Sequence, residues 1–394
     1  MILTTLFSYQ VEKNYYSLQR KMMSKLLQKY NHYLAPEAVV KINGEKLSQY
    51  HLFFNDLKID MTIDGTDIFS FTLSDAINLE FEPQHPELFN SGNEVEIYIG
   101  YANNANSKTP LPLLFKGIIT AINWNFSENN YLDITVEGKD YSFLLMKHKS
   151  SDNGKQLNWD NISHSDIVEK IIKTYNSKFS TIKIESTEQI HYQVKYKEKN
   201  DYAFFTRLAK KNGFEFFIQK DEFYFRASQQ IPNDEITLSY GTEILSFTPE
   251  INIDKYVTKV KVFAPEIQAG KEKIIGEAPN SFLSKIKSPS IKEILKSINN
   301  IEYEMTANVK SVEEANRLAQ LKFDELNSNL IKAELRCIGI PELKPGITIK
   351  LKGLGQRFST YYYITQAVHN FNDQGYEVTL NLTSNSNIIQ ELIL

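Results

Sequence analysis

His164, Ser165 and Asp166 bring the residue types of a nucleophilic triad into three consecutive positions. That spacing argues against the chemistry, because adjacent side chains do not face one another, and the tripeptide reads as the capped start of a helix. A zinc hydrolase needs two ligands one helical turn apart, as in His-Glu-x-x-His, and none of the seven histidines is so placed. His369 ends a strand beside a turn, the setting of a satisfied structural histidine. Gly353-Leu354-Gly355 lacks the third glycine, or the Gly-Lys-Ser/Thr ending before a helix, of a nucleotide loop and reads as a hairpin turn. Glu334, Asp373 and Glu377 could contribute to a glycosidase pair, which requires carboxylates about 5 to 9 Å apart; acids on an exposed strand face are the plainer expectation. Trp124 and Trp159 do not make a sugar-stacking platform. We therefore expect no catalytic residue, no metal and no cofactor.

The elements that position these residues are mostly strands. A length of 394 residues suggests two or three domains, and 24 Phe with 22 Tyr lean toward sheet, where rings pack on pleated surfaces. A net charge of -4 does not predict nucleic-acid binding. The single cysteine, Cys337, cannot form an intramolecular disulfide, so packing alone must hold the fold. No apolar run approaches the roughly 18 to 20 residues that cross a bilayer, so no membrane insertion is expected. The start Met1-Ile2-Leu3 has no basic region of a secretory signal, which points to synthesis and assembly in the cytosol.

Residues 11–34 place Tyr15, Leu18, Met22, Leu26, Tyr30 and Tyr33 at helical spacing among Lys13, Arg20, Lys21, Lys25 and Lys29. This basic helix, ended by Pro36, would dock on an acidic partner or membrane surface, or pack on its own or a neighbouring subunit. From Ala38 to Leu145 strand follows strand, with turns at Asp64-Gly65 and Ser91-Gly92-Asn93, and Tyr141 to Met146 reads as a closing helix. Ser150 to Gly154 reads as a linker. Beyond it, Ser163 or Ser165 caps a helix with Ile167, Val168, Ile171, Ile172 and Tyr175 on one face. A second helix runs from Asp201 to Lys211, capped by Asn200 and stopped by Gly213, before a hairpin around Lys220-Asp221. Alternation returns over 237–264. Residues 265–300, Lys-rich with Pro279 and Pro289, read as an insertion. Ser311 and Glu314 have capping-box spacing ahead of the stripe Val312, Ala315, Ala319, Phe323, Leu326 and Leu330.

The last sixty residues carry the sharpest signal. Pro341, Glu342, Leu343, Lys344, Pro345 and Gly346 precede the alternating run Ile347 to Leu351. A second strand, Tyr361 to Val368 and containing Tyr363, leads to His369 and a turn at Asn372-Asp373-Gln374-Gly375 before Tyr376 to Leu380. Pro-Gly turns and period-two alternation predict a closed antiparallel sheet. The segment resembles the C-terminal barrel of the phage late control protein D family, the baseplate hubs of contractile tails and related injection systems. Asp201, Phe204, Phe205, Arg207, Leu208, Ala209, Gly213 and Phe214 resemble the helix-glycine-hairpin unit of phage hubs and of VgrG spike proteins. The run Phe115 to Thr120 through Gly117, then Leu132 to Asp140 through Gly138, resembles the strand, polar turn, strand and acidic exit of the hubs' first barrel. Together the resemblance covers residues 38–385.

It implies a mainly β fold with an α+β insert, two tail-tube-like β-barrels joined by a small α+β domain. The divisions are a helical extension over 1–37, a first barrel over 38–150, the small domain over 151–236, and a second barrel over 237–394 with its insertion at 265–300. Three such chains present six barrels, so a homotrimer would accept a sixfold tail-tube protein on one face and a threefold spike on the other, with other baseplate proteins as further partners and no specific nucleic acid. Contacts would be β-rich surfaces with aromatic anchors, the motif residues being structural, in a non-enzymatic component of a virion tail or injection-system baseplate. VgrG-like proteins continue into an oligonucleotide-binding-like domain and a β-helix needle, whereas this sequence stops at Leu394, so the spike is expected as a separate polypeptide. The rival readings are a tail-tip cell-wall hydrolase and a host-binding tail protein acting through 265–300 or the basic helix.

Overall fold

The computed structural model describes residues 25–74, 84–102, 110–126, 132–151, 156–228, 236–252, 257–264, 275–278, 301–307, 309, 311–327 and 331–384. Residues 11–24 of the expected basic helix lie outside these. Within its remainder, α-helix covers Lys25–Lys29 and a 3-10 turn Asn31–Tyr33, and the chain turns before Pro36 through His32, Tyr33 and Ala35 at φ 59, 61 and 54°. The aromatic rings account for the early end. Tyr30 and Tyr33 turn inward onto Tyr101, at centroid distances of 5.4 and 5.7 Å, and Lys29 and the Tyr30 hydroxyl both engage Glu342. This stretch therefore packs on its own chain.

The first strands are β1 (Pro36–Ile42), β2 (Glu45–Lys46), β3 (Phe54–Thr62), β4 (Ile68–Ser74), β5 (Glu94–Tyr101), β6 (Leu113–Phe126) and β7 (Leu132–Lys139). The central region contributes β8 (Asn158–Ser163), β9 (Thr181–Ile184), β10 (Ile190–Lys195), β11 (Phe214–Gln219) and β12 (Glu222–Ala227). The last region holds β13 (Thr237–Ser239), β14 (Ile244–Ile251), β15 (Lys259–Phe263), β16 (Ile275–Ala278), β17 (Glu302–Thr306), β18 (Ile331–Ile338), β19 (Thr348–Lys352), β20 (Tyr361–Asn372) and β21 (Gly375–Ser384). The fold is mostly β, as the aromatic and alternating sequence implies.

The strand sets expected in two separate barrels share one 13-stranded sheet, ordered β14-β18-β21-β20-β3-β4-β7-β6-β5-β1-β2, with β19 joining β20 to β13. Among the described residues this path is open. The junction is β20: its first residues pair with β19, and Gln366 to Phe371 pair with β3. A bulge between Ile364 and Gln366 lets one long strand serve both neighbours. One core follows from this continuity, with Ile59, Phe71 and Ile134 buried beside Leu335, Ala367 and Leu380.

A second core lies between the central helices and hairpin and is aromatic, with Tyr196, Phe204, Phe205, Phe223 and Phe225 fully buried. Ser163 caps the His164–Ile172 helix by accepting from Asp166 N at 3.1 Å, and Asn200 caps the Asp201–Asn212 helix by accepting from Ala203 N at 2.9 Å. Tyr175, expected on the first helix, falls in the 3-10 turn after it. Gly213 adopts φ +68°, the left-handed position that ends the second helix. The hairpin β11–β12 turns at Lys220-Asp221 as expected, and β12 also pairs parallel with β9.

Residues 275–278 of the expected insertion form β16 in a three-stranded sheet with β15 and β17, and its other residues lie outside the described ones. On β16 packs the Val312–Asn327 helix, whose Ser311 cap accepts from Glu314 N at 3.2 Å. Ala315, Ala319 and Phe323 are buried as the stripe predicts; Val312 is exposed, and Leu330 lies outside the described residues.

Candidate functional site

The residue types that could do chemistry are held apart. His164 is buried, and the Asn212 amide donates to its Nδ1 at 2.8 Å. Burial, then the His191 ring stacked on it at 3.8 Å, depress its pKa to about 3, far from a general base at neutral pH. Ser165 Oγ instead pairs with Ser163 Oγ at 2.9 Å and accepts from Thr187 N at 3.1 Å. Of the carboxylates, Glu377 lies 3.8 Å from Arg336, Glu334 faces Thr248 and Asn381 across its ladders, and Asp373 occupies the β20–β21 turn. Gly353 and Gly355 lead into a short helix, Gly355–Phe358, rather than a simple hairpin turn. Trp159 stacks on Phe204 at 5.7 Å, while Trp124 sits exposed near the end of β6. Among the described residues no group of three or more His, Cys, Asp and Glu could hold a metal ion.

The motif residues, in contrast, converge on three structural knots. The first is built on Asp201, fully buried at the start of its helix. Its Oδ1 accepts from Ser150 N at 2.8 Å and from the Tyr196 hydroxyl; its Oδ2 accepts from Ser150 Oγ at 2.8 Å, Tyr175 Oη at 2.6 Å and His148 Nδ1 at 3.2 Å. Burial and the bond to Asp201 push both tyrosine pKa values up. Phe204 stacks on Tyr196 at 4.3 Å, and Phe205 meets Phe216 edge-on at 5.5 Å. Arg207 lies over the Phe204 ring at 5.1 Å, donates from Nη2 to Lys195 O at 3.0 Å, and binds Glu198 through Nε. Leu208 is fully buried, and Gly213 lies under Leu321 of the Val312–Asn327 helix.

A second knot lies where β6 and β7 draw together. A Cβ on Gly117 would stand 2.2 Å from Lys139 O, and one on Gly138 would stand 2.2 Å from both Ile118 O and the Phe69 ring. Just beyond, the buried Asp140 donates from its N to Asp67 O at 3.0 Å, and its Oδ1 accepts from Ser142 N at 3.1 Å. Burial raises the Asp140 carboxyl to about 7 and pushes Asp67 up as well.

The third knot ties the Pro341–Gly346 loop, whose prolines are buried, to the last hairpin. Gly346 O accepts from Arg226 Nη2 at 2.9 Å, and Tyr363 Oη donates to Glu215 at 2.5 Å. His369 lies inside β20 rather than at its end, fully buried. Its Nε2 lies 2.8 Å from Leu343 O, which can only accept, so Nε2 carries the proton and Nδ1 accepts from Tyr376 Oη at 2.7 Å. Gly375, at φ +125°, turns the chain into Tyr376. Burial depresses the His369 pKa to about 4. A folded pKa below the unfolded value of about 6.5 means that stability is complete above that value and falls as pH drops toward 4. We expect His369 to account for about 2 kcal/mol of lost stability between pH 7.5 and 5, from 1.36 kcal/mol per pH unit over the window. Urea unfolding of wild type and His369→Gln at both pH values checks this: the gap between them should shrink by that amount on acidification.

Several partners in these knots were invisible in the sequence. Ser150 read as linker, yet it is buried and donates twice to Asp201. Tyr175 read as an apolar helix position, and its hydroxyl was the signal that it needed an acceptor. Asp67, Glu215 and Arg226 carried no signal at all.

Against known proteins, the sequence matches the family described as "Alg8 N-terminal domain" over residues 35–373. No curated protein matches it. Among solved structures, the 43 kDa tail protein of prophage MuSo2 from Shewanella oneidensis is similar at TM-score 0.67 and 13% identity, covering 90% of this chain and 99% of that one. The tail protein from Neisseria meningitidis MC58 gives TM-score 0.62 at 12% identity, covering 90% and 98%. The E. coli c3393 protein, described as a type VI secretion component structurally similar to the T4 tail proteins gp27 and gp5, gives 0.51 at 14%, covering 87% and 76%. The chain therefore has the fold of these proteins.

Proposed function

The chain belongs to the Alg8 N-terminal domain family; from its fold, rather than from that family description, we propose that it is a structural, non-enzymatic baseplate hub of a contractile tail or related injection system. The observation that carries the reading is the fold likeness to the Shewanella tail protein along nearly the whole of both chains. The dispersal of the triad residues and carboxylates into separate structural roles supports it further.

In this reading the strands of 38–150 and of 237–394 act as two tube-like units, with 151–236 as the smaller unit between them. Three chains then offer six such units, and a closed threefold ring can meet a sixfold tube and a threefold spike on opposite faces. The strand pair β3–β20 supports this division of labour, since it would fix the two units of one chain at a set angle within the ring. Native mass spectrometry of the purified chain, alone and with the candidate spike protein, tests the proposal. A species near three times 45.5 kDa that captures a spike trimer is expected. A strict monomer under both conditions, or lysis of peptidoglycan by the pure protein, would overturn it.

A further inference from the structure

The Pro341–Gly346 loop carries a feature that the hub reading does not use. Lys344, between Leu343 and the buried Pro345, is half-buried, and among the described residues it makes no ion pair or hydrogen bond; neither does Lys220, at φ 59° in the β11–β12 turn. Neighbouring lysines are otherwise matched: Lys183 with Glu222 at 2.8 Å, Lys116 with Asp221 at 3.5 Å, Lys178 with Glu94 at 2.8 Å. Burial first, then the charge of Lys220, hold Lys344 below the ordinary lysine range. Lys183 and Arg226 add to that repulsion, and only Glu222, already bonded to Lys183, opposes it.

Both lysines line one cavity of about 290 Å³ whose walls include Met61, Leu113, Leu114 and Ile347. Glu342, the carboxylate at this cavity, is already engaged by Lys29 and Tyr30. The cavity thus combines an apolar interior with two lysines that make no ion pair among the described residues, and a cation withdrawn from water is costly until an anion meets it.

We propose that this cavity docks a segment of a partner protein that presents an Asp or Glu beside apolar side chains, the carboxylate meeting Lys344 and Lys220 and the apolar groups entering between Met61, Leu113 and Ile347. Charge complementarity selects this occupant: a purely apolar segment would leave both cations desolvated, and a bare anion would leave the apolar walls wet. The proposal is independent of the hub reading, which its failure would leave standing.

The test is methyl-detected NMR of the full chain, titrated with the capped tripeptides Ac-Asp-Leu-Phe-NH2 and Ac-Asn-Leu-Phe-NH2. Saturable shifts at the Met61, Leu113 and Ile347 methyls are expected, with the Asp peptide bound at least fivefold more tightly. Lys344→Gln should abolish that preference, and Lys220→Gln should reduce it; each leaves the far-UV spectrum unchanged if the fold is intact. Equal binding of the two peptides, or no saturable shift by about 10 mM, the range of the weakest specific contacts, overturns the proposal. So does inorganic phosphate producing the same shifts as the peptide, which would mark a bare anion site. Truncation after Ser384 that alone unmasks peptide binding would assign the cavity to residues 385–394 of this chain, and self-association lost in Lys344→Glu would assign it to a second copy. Either result also overturns it.

Discussion

Asp201→Ala should be among the most damaging single substitutions in the molecule, costing about 5 kcal/mol, the upper range for loss of a buried hydrogen-bond network. Five donors converge on this carboxylate, from Ser150, His148, Tyr175 and Tyr196. Removing it strands the Tyr196 hydroxyl and the Ser150 amide, both of which belong to buried residues. Asp201→Asn should cost less, about 3 kcal/mol, because one oxygen is retained while the new NH2 faces donors. A double-mutant cycle separates this from simple cavity formation. Tyr196→Phe should destabilise the wild type by about 1 kcal/mol, yet be neutral or stabilising in the Asp201→Ala background, since the orphaned hydroxyl is then gone. Denaturant unfolding of the four proteins reads the coupling directly. If the two substitutions add, the knot is not a cooperative unit and Asp201 matters only as the first residue of its helix.

The same knot explains which parts of the molecule could be read from sequence. Helix starts were legible because Ser163, Asn200 and Ser311 each cap through a bond spanning three residues, a purely local event. So was β21 of the last hairpin, whose burial alternates residue by residue. What could not be read is long-range. Asp201 meets Ser150 across 51 positions, and Tyr363 meets Glu215 across 148; no periodicity encodes either partner. The pairing of β3 with β20 is of the same kind, as it depends on a bulge at Thr365 that no turn residue announces. The last part of the N-terminal segment differs for the converse reason: its helical spacing runs on to Tyr33, but Tyr30 and Tyr33 pack on Tyr101 instead of continuing the Lys25–Lys29 helix.

Gly138→Ala tests the other position where the backbone admits no substitute. The added methyl would lie 2.2 Å from Ile118 O and equally close to the Phe69 ring, which is buried and packed edge-on against Phe115 at 5.2 Å. Neither neighbour has room to move: Ile118 belongs to the β6–β7 ladder, and Phe69 faces Gly138 across the β4–β7 ladder. Relief requires pulling β6 off β7, so we expect a loss of about 3 to 4 kcal/mol, at or above the upper end of what overpacking with backbone shifts usually costs. Shortening the ring with Phe69→Leu should recover only part of this, because the carbonyl clash remains. Gly375→Ala is the control. Its φ of +125° is unfavourable to a side chain, but nothing lies within 4 Å of the new Cβ, so backbone strain of about 1 to 3 kcal/mol is the whole cost. Thermal and urea unfolding of the three variants ranks them. Should Gly138→Ala cost no more than Gly375→Ala, then β6 and β7 separate easily at this crossing, and the close approach is not what fixes the register of the first strand set. If the ranking holds, the crossing is rigid, and with the β3–β20 pairing it fixes how the two strand sets of the chain are joined.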